Sequence, residues 1–220
     1  MGSAVKKAKR QTGASERILE AAGEIFAEYG YRHVTIRQIC TMAGVNVAAI
    51  NYHFGDKEGL YKAVLKHWQV LAYQKHPLGE GMDPAAPAEV RLGAFIRSFL
   101  FRILEDGRSS WFGKLMAREF IEPTHAQEML VEDTIRPTYA MLSSIVREML
   151  GAHAPEETVR LACASIVGQC LYFHNARPIV SRLFSQERFS DEDVERIAGH
   201  ITRFSLGAIK GIAADGGPVA

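Results

Sequence analysis

Thr35–Lys57 reads TIRQICTMAGVNVAAINYHFGDK: two short helices joined by a tight turn. Thr35 is placed to cap the first helix, and Gln38 three residues on completes a Thr-x-x-Gln capping box. Ile36, Ile39 and Met42 give that helix an apolar face. Gly44, after Ala43, is free to take the positive φ that ends a helix sharply. Asn46 is a good N-cap for a second helix over Val47 to about His53. On it Ala48, Asn51 and Tyr52 share one side at i, i+3, i+4, while Ile50 and Phe54 share another. A helix with one buried side and one small, polar and aromatic side, held across a glycine turn from a partner helix, suits entry into a DNA major groove.

Working outward, Ser15 and Glu16 open a first helix that runs to about Tyr29, with Ile18, Ala22, Ile25, Phe26 and Tyr29 striped inward at helical spacing. This helix must cover the two short ones, which cannot be stable alone. Asp56 caps a fourth helix carrying Leu60, Tyr61, Val64, Trp68 and Leu71, expected to reach about Tyr73 and to act as a lever between the two halves. Residues 4–14, AVKKAKRQTGA, read as a disordered basic tail; the other reading is an arm laid on phosphates or in the minor groove. The stretch HPLGEGMDPAAP, residues 76–87, marks a break.

Beyond it the periodicity is helical throughout, with no persistent strand-like alternation. The predicted fold is all-α: a helix-turn-helix domain over 15–76, joined by a long helix to a larger bundle over 77–212, with tails at 1–14 and 213–220. In the bundle, Leu92 to Ile103 stripe one helix that stops at Asp106-Gly107. Trp111, Leu115, Met116 and Phe120 stripe a second. Pro137 must kink or split the run from His125 to Leu150. A helix follows Pro155 and reaches Asn175, and a short helical turn occupies Ile179 to Phe184. The last helix turns Val194, Ile197, Ile201, Phe204 and Ala208 inward.

Bulk composition narrows the function. The 220 residues are 47% hydrophobic and 23% charged, ordinary for a globular chain. No apolar run approaches the roughly 20 residues that cross a bilayer. Cysteines at positions 40, 163 and 170 are odd in number, which argues against a disulfide framework and fits a cytoplasmic protein. The net charge of +1 hides an asymmetry: residues 1–76 carry 11 Lys/Arg against 6 Asp/Glu. A basic front half suits a polyanion. Cys163, Cys170 and His174 share a helix face, but buried packing is the better account than a metal site, and no metal or cofactor is expected.

From Ser15 to Trp68 the chain resembles the DNA-binding domain of the TetR family of one-component transcription regulators. The resemblance rests on Phe26-Ala27-Glu28-Tyr29-Gly30-Tyr31, Val34-Thr35-Ile36-Arg37, Ala43-Gly44-Val45, Tyr52-His53-Phe54 and Lys57-Glu58-Gly59-Leu60. Further on, Arg118-Glu119-Phe120-Ile121-Glu122-Pro123, Ile135-Arg136-Pro137 and Ile166 to Tyr172 are similar to the ligand-binding domain of the CecR-type subgroup. The resemblance implies a phosphate contact for Thr35, base or phosphate contact for Arg37, and thymine-methyl contacts for Val47 and Ala48. Tyr52, His53 and Lys57 would hold phosphates. Ala49 departs from the family's common Ser or Thr, which removes a hydroxyl–phosphate bond. Asn51 stands where an aromatic is common, and its amide can pair with adenine N6 and N7, so it is the expected base reader.

The resemblance also implies a homodimer on double-stranded DNA with a palindromic operator, and a small-molecule effector. The last two long helices are the expected dimer interface, the first of them thinned by Ala162, Ala164, Ser165 and Gly168. Phe95, Phe99, Arg102, Trp111, Met116, Arg118, Phe120, Gln169 and Phe173 are the expected pocket residues, with Glu119 and His174 near. An effector-released repressor is the expected function. The alternatives are an architectural DNA binder without a ligand and an enzyme fused to a DNA-binding front end. The second lacks a Gly-rich phosphate loop, a Ser-His-Asp arrangement and an HExxH motif.

Overall fold

A computed structural model of the protein describes residues 2–104, 110–184 and 189–214. The described elements are helical: α1 (Gly2–Tyr29), α2 (Ile36–Ala43), α3 (Val47–Phe54), α4 (Lys57–Lys75), α5 (Ala88–Leu104), α6 (Ser110–Ile121), α7 (Gln127–Leu130), α8 (Arg136–Leu150), α9 (Glu156–Asn175), α10 (Arg177–Phe184) and α11 (Asp191–Ala214). None of the described helices is long and apolar enough to cross a membrane. The stop expected at Asp106-Gly107 and most of the expected C-terminal tail lie outside the described residues; Ala213 and Ala214 finish α11. The helix expected from Ser15 begins at Gly2 instead. Ala, Lys, Arg and Gln make up most of the added turns and favour helix, against Gly2, Val5, Thr12 and Gly13.

Two compact units divide the chain, Met1–Ala72 with Gly107–Glu128 and Tyr73–Asp106 with Met129–Ala220. The sequence assigned all of 77–212 to one domain. The compact units give Gly107–Glu128, and with it α6, to the front.

In the front unit α1 packs on α2, α3 and α6. Ile18, Ala22, Phe26, Ile39, Ile50, Leu60, Val64 and Leu65 are fully enclosed. Tyr29 and Leu71, expected inward, are exposed, as is Met42; Cys40 and Ala43 take Met42's place in the core. An apolar stripe fixes a period, but which flank is buried depends on where the neighbouring helix lies. On α6 the same ambiguity displaces the buried face to Phe112, Leu115 and Glu119, and Phe120 is 56% exposed. Arg118 caps the carboxyl end of α1, donating Nε–H to the Ala27 carbonyl at 3.0 Å and bonding the Glu28 carbonyl through Nη2. Trp111 stands edge-on to Trp68, ring centroids 4.6 Å apart.

In the C-terminal unit α5 packs against α8, α9 and α11. Its core includes Leu92, Phe95, Ile96 and Leu100 of α5, Leu142 and Val146 of α8, Val159 and Ile166 of α9, and Ile201 of α11. Pro137 splits its run: a π turn over Val131–Ile135 separates α7 from α8, with the Arg136 N–H reaching the Val131 carbonyl. Pro137 cannot donate to the Asp133 carbonyl and its ring would press on it, so one wider turn relieves both problems. The short helical turn expected at Ile179 to Phe184 is the slightly longer α10, which starts at Arg177.

Candidate nucleic-acid interface

The helix-turn-helix is fixed by local chemistry. Thr35 accepts the Gln38 N–H at 3.3 Å while its own N–H donates to Gln38 Oε1 at 2.7 Å, closing the capping box. Gly44 sits at φ 64°, ψ 42°, the left-handed cap the turn requires. Asn46 Oδ1 accepts the Ala49 N–H at 2.9 Å and starts α3. Asp56 Oδ1 accepts the Gly59 N–H at 2.8 Å and starts α4. The Arg17 guanidinium reaches the Ala43 carbonyl at 3.4 Å and ties α1 to the end of α2.

With Ile50 of α3 fully enclosed, Val47, Ala48, Asn51 and Tyr52 are left facing solvent, Tyr52 at 73% exposure. Thr35 and Arg37 are exposed at the start of α2, and His53 and Lys57 are half-buried beside them in the chain. The Thr35 hydroxyl is engaged in its cap, also bonding Gln38 Oε1 at 2.8 Å. The Lys57 ammonium lies 4.4 Å from the centroid of the Tyr31 ring, and burial lowers its pKa. It stands at the first residue of α4, where the helix dipole is positive, so the position attracts an anion such as a phosphate. The His53 ring meets Tyr52 edge-on, centroids 5.0 Å apart.

Gly59 was not singled out for packing in the sequence. A Cβ there would lie 2.1 Å from the Phe54 carbonyl oxygen. Backbone cannot rotate away as a side chain can, so Gly59 sets how α4 follows α3. Gly59→Ala should destabilise the protein by about 1–3 kcal/mol through overpacking. Urea unfolding followed by tryptophan fluorescence measures it; an unchanged midpoint would contradict the close approach.

The residues expected to line a pocket separate into three places. Trp111, Met116, Arg118 and Phe120 belong to the front unit, where Trp111 packs on Trp68 and Arg118 caps α1. Phe95 is core, Phe99 and Phe173 pack against that core, and Arg102 is buried in the same C-terminal unit. Gln169 instead lines a groove of about 390 Å³ along α9 and α11, with Leu161, Ile166, Phe204, Ala208 and Ile212. Phe204 and Ala208, expected inward, are exposed, and Ser205 and Ile209 are buried in their stead. Of the small residues expected to thin α9, Ala162 is core while Ala164, Ser165 and Gly168 are exposed.

Cys163 and Cys170 are free and buried, their thiols pushed up by burial to about 11 and about 12. They are therefore protonated and unreactive at neutral pH. The His174 Nδ1 lies 2.7 Å from the Ile103 carbonyl.

An exposed, capped second helix behind a first that is anchored by Ile39, Cys40 and Ala43, entered through a left-handed glycine, defines a helix-turn-helix DNA-binding module. Residues 18–64 match the model of bacterial regulatory proteins of the tetR family, and residues 88–209 match the C-terminal domain of the HTH-type transcriptional dual regulator CecR. The chain belongs to the TetR family of transcription regulators, with a CecR-type C-terminal domain. It is 28% identical to the HTH-type transcriptional dual regulator CecR of Shigella flexneri over 200 residues, 86% of this chain and 88% of that one. A tetR-family regulatory protein from Rhodococcus RHA1 superposes with a TM-score of 0.65 at 22% identity, covering 89% of this chain and 96% of that one. AibR in complex with isovaleryl coenzyme A and operator DNA superposes with a TM-score of 0.64 at 18% identity, covering 87% and 97%. Family and fold are those of transcription regulators, not of enzymes.

Proposed function

We propose that the protein is an effector-released repressor that binds a palindromic operator as a dimer. The observation that carries this is the outward face of α3: Val47, Ala48, Asn51 and Tyr52 face solvent while Ile50 anchors the helix from behind. Asn51 reads adenine, and Val47 and Ala48 meet thymine methyls. Arg37 reaches a base or a phosphate. Thr35, Tyr52, His53 and Lys57 hold phosphates and fix the register.

One such module reads too few base pairs for a specific site. Two of them about 34–36 Å apart read successive major-groove faces, which calls for a two-fold dimer. The exposed apolar groove of α9 and α11, with Leu161 54% and Phe204 61% exposed, supports that pairing. The CecR-type C-terminal domain supports an effector, as does a neighbour in fold described with both a coenzyme A thioester and operator DNA. Helix α4 runs unbroken from Lys57, beside α3, to Lys75 in the C-terminal unit, so it is the covalent path by which an effector reaches the recognition helix.

Selection of bound fragments from a random DNA pool tests the reading. Recovery of a palindrome is expected. Binding without a preferred site, with a steep salt slope alone, would overturn it in favour of an architectural binder. On the recovered site, Asn51→Ala should weaken binding by about 1–3 kcal/mol and relax preference at one base pair per half-site. Binding to random DNA and the melting temperature should hold, because the side chain is exposed. A fluorescence-anisotropy titration separates these outcomes.

A further inference from the structure

The most anomalous side chain of the C-terminal unit is Arg102, in the last turn of α5. It is only 5% exposed, yet among the described residues it forms no ion pair, and its Nη2 is enclosed without a hydrogen-bond partner. Its Nη1 donates to the His76 carbonyl at 3.1 Å. The guanidinium carbon lies 4.7 Å from the centroid of the Tyr73 ring and 5.8 Å from that of Phe99. Burial lowers its pKa, an effect opposed by the Tyr73 hydroxyl and the Glu80 carboxylate. Glu80 itself is held 3.4 Å from His76 Nδ1.

A buried guanidinium with an unused N–H edge is costly, and proteins keep such groups where something completes them. Aromatic faces supply part of the compensation. They cannot satisfy an enclosed N–H that projects from the guanidinium edge. The planar fork fits the oxygens of a carboxylate or phosphate, and it does so better than any neutral group. Aromatic rings make up one side of its surroundings: Phe99 stacks on Phe95 with centroids 6.0 Å apart, and Phe101 stacks on His76 at 5.4 Å.

We infer that Arg102 is the anchor for an organic anion, a carboxylate or phosphate bearing an apolar body, whose oxygens bond Nη2 while its body lies among Tyr73, Phe95 and Phe99. The inference rests on the effector reading above and names the chemistry of the effector. It also supplies a physical route to α4. The His76 carbonyl follows the last residue of that helix, and Tyr73 lies in its last turn. Without an anion, the Arg102 charge serves the negative end of α4. A bound anion takes over that charge and competes with the carbonyl for Nη1, so the end of α4 loses its partner. Tyr73 is steadied from the other side, its hydroxyl 3.3 Å from Thr138 Oγ1, next to the π turn of Pro137.

The test is isothermal titration of the full-length protein with octanoate, octyl phosphate and octan-1-ol, for wild type, Arg102→Gln and Arg102→Met. One or both anions should bind wild type, the preferred one identifying the oxyanion, and octanol should bind at least about ten-fold more weakly. Both variants should lose at least about ten-fold in affinity for the anion. Their melting temperatures without ligand should equal or exceed that of wild type, because an incompletely paired buried charge has been removed. Equal binding of octanol, no binding of either anion, or full anion affinity in Arg102→Gln or Arg102→Met would overturn the inference. If one variant fails to fold, the other decides. Operator binding measured in parallel separates the two readings: a palindrome bound without any anion effect defeats this inference alone, and anion binding without any operator defeats the repressor reading alone.

Discussion

Replacing both Leu161 and Phe204 by glutamate should leave a folded monomer that no longer holds a palindromic operator. The two side chains are 54% and 61% exposed, so the isolated subunit gives up little packing when they are changed. Both line the groove along α9 and α11. In a two-fold dimer the same patch from each subunit would meet itself, so four carboxylates would be brought together in a dry interface. Like charges in low dielectric repel strongly, and each also loses its hydration. Losing the dimer removes the second module's effective concentration, which is typically worth about 10²–10⁴ in affinity. Light scattering after size exclusion gives the mass, and a gel shift on the selected site gives the affinity. A dimer of wild-type stability that binds the operator as tightly as wild type would refute the assigned interface.

This prediction rests on the two long helices that the sequence offers as the dimer interface, although the sequence turns Phe204 and Ala208 of α11 inward. On α11 the apolar residues form two overlapping stripes. Ile197 and Ile201 belong to the buried one, which continues through Ser205 and Ile209; Phe204 and Ala208 follow the same spacing but turn out to solvent. Periodicity reports that a helix has an apolar side, and an interface with a second copy produces the same signal as a core. The local devices were fully legible because each needs only three or four neighbouring residues. The capping box of Thr35 and Gln38, the Gly44 turn and the Asn46 and Asp56 caps stand as their sequence implies. So does the break at Pro137, although the π turn that accommodates it could not be read in advance. What remained hidden depends on partners distant in the chain. Arg102 and Glu119 were both expected at one pocket, but the sequence could not show that Tyr73, His76 and Phe99 enclose the first while Tyr61 of α4 binds the second in the other unit.

Glu119→Leu should destabilise the front unit more than Glu119→Gln does, and the difference measures a buried polar clamp. Glu119 is 3% exposed. Its Oε1 accepts the Tyr61 hydroxyl at 2.8 Å and the Thr124 hydroxyl at 2.9 Å, and its Oε2 accepts the Thr124 N–H at 3.0 Å. Tyr61 is 1% exposed, and burial first, then its bond to Glu119, raises its pKa, so it remains a donor throughout the accessible pH range. Leucine leaves a buried phenol and a backbone N–H unpaired, at about 1–3 kcal/mol each. Glutamine keeps one acceptor oxygen, which can still take the Tyr61 hydroxyl, while its amide can only donate to the Thr124 side, so it loses less than leucine but more than the charge assistance, about 1–2 kcal/mol. The clamp joins α6 to α4, and Trp68 and Trp111 meet on the same pair of helices, so their fluorescence reports its opening directly. A fragment ending at residue 76 would lack Glu119, Trp111 and the Arg118 cap on α1 together. It should therefore unfold at lower urea than the front unit of the whole chain. Equal stability of Glu119→Leu and wild type would show that the clamp carries none of this load.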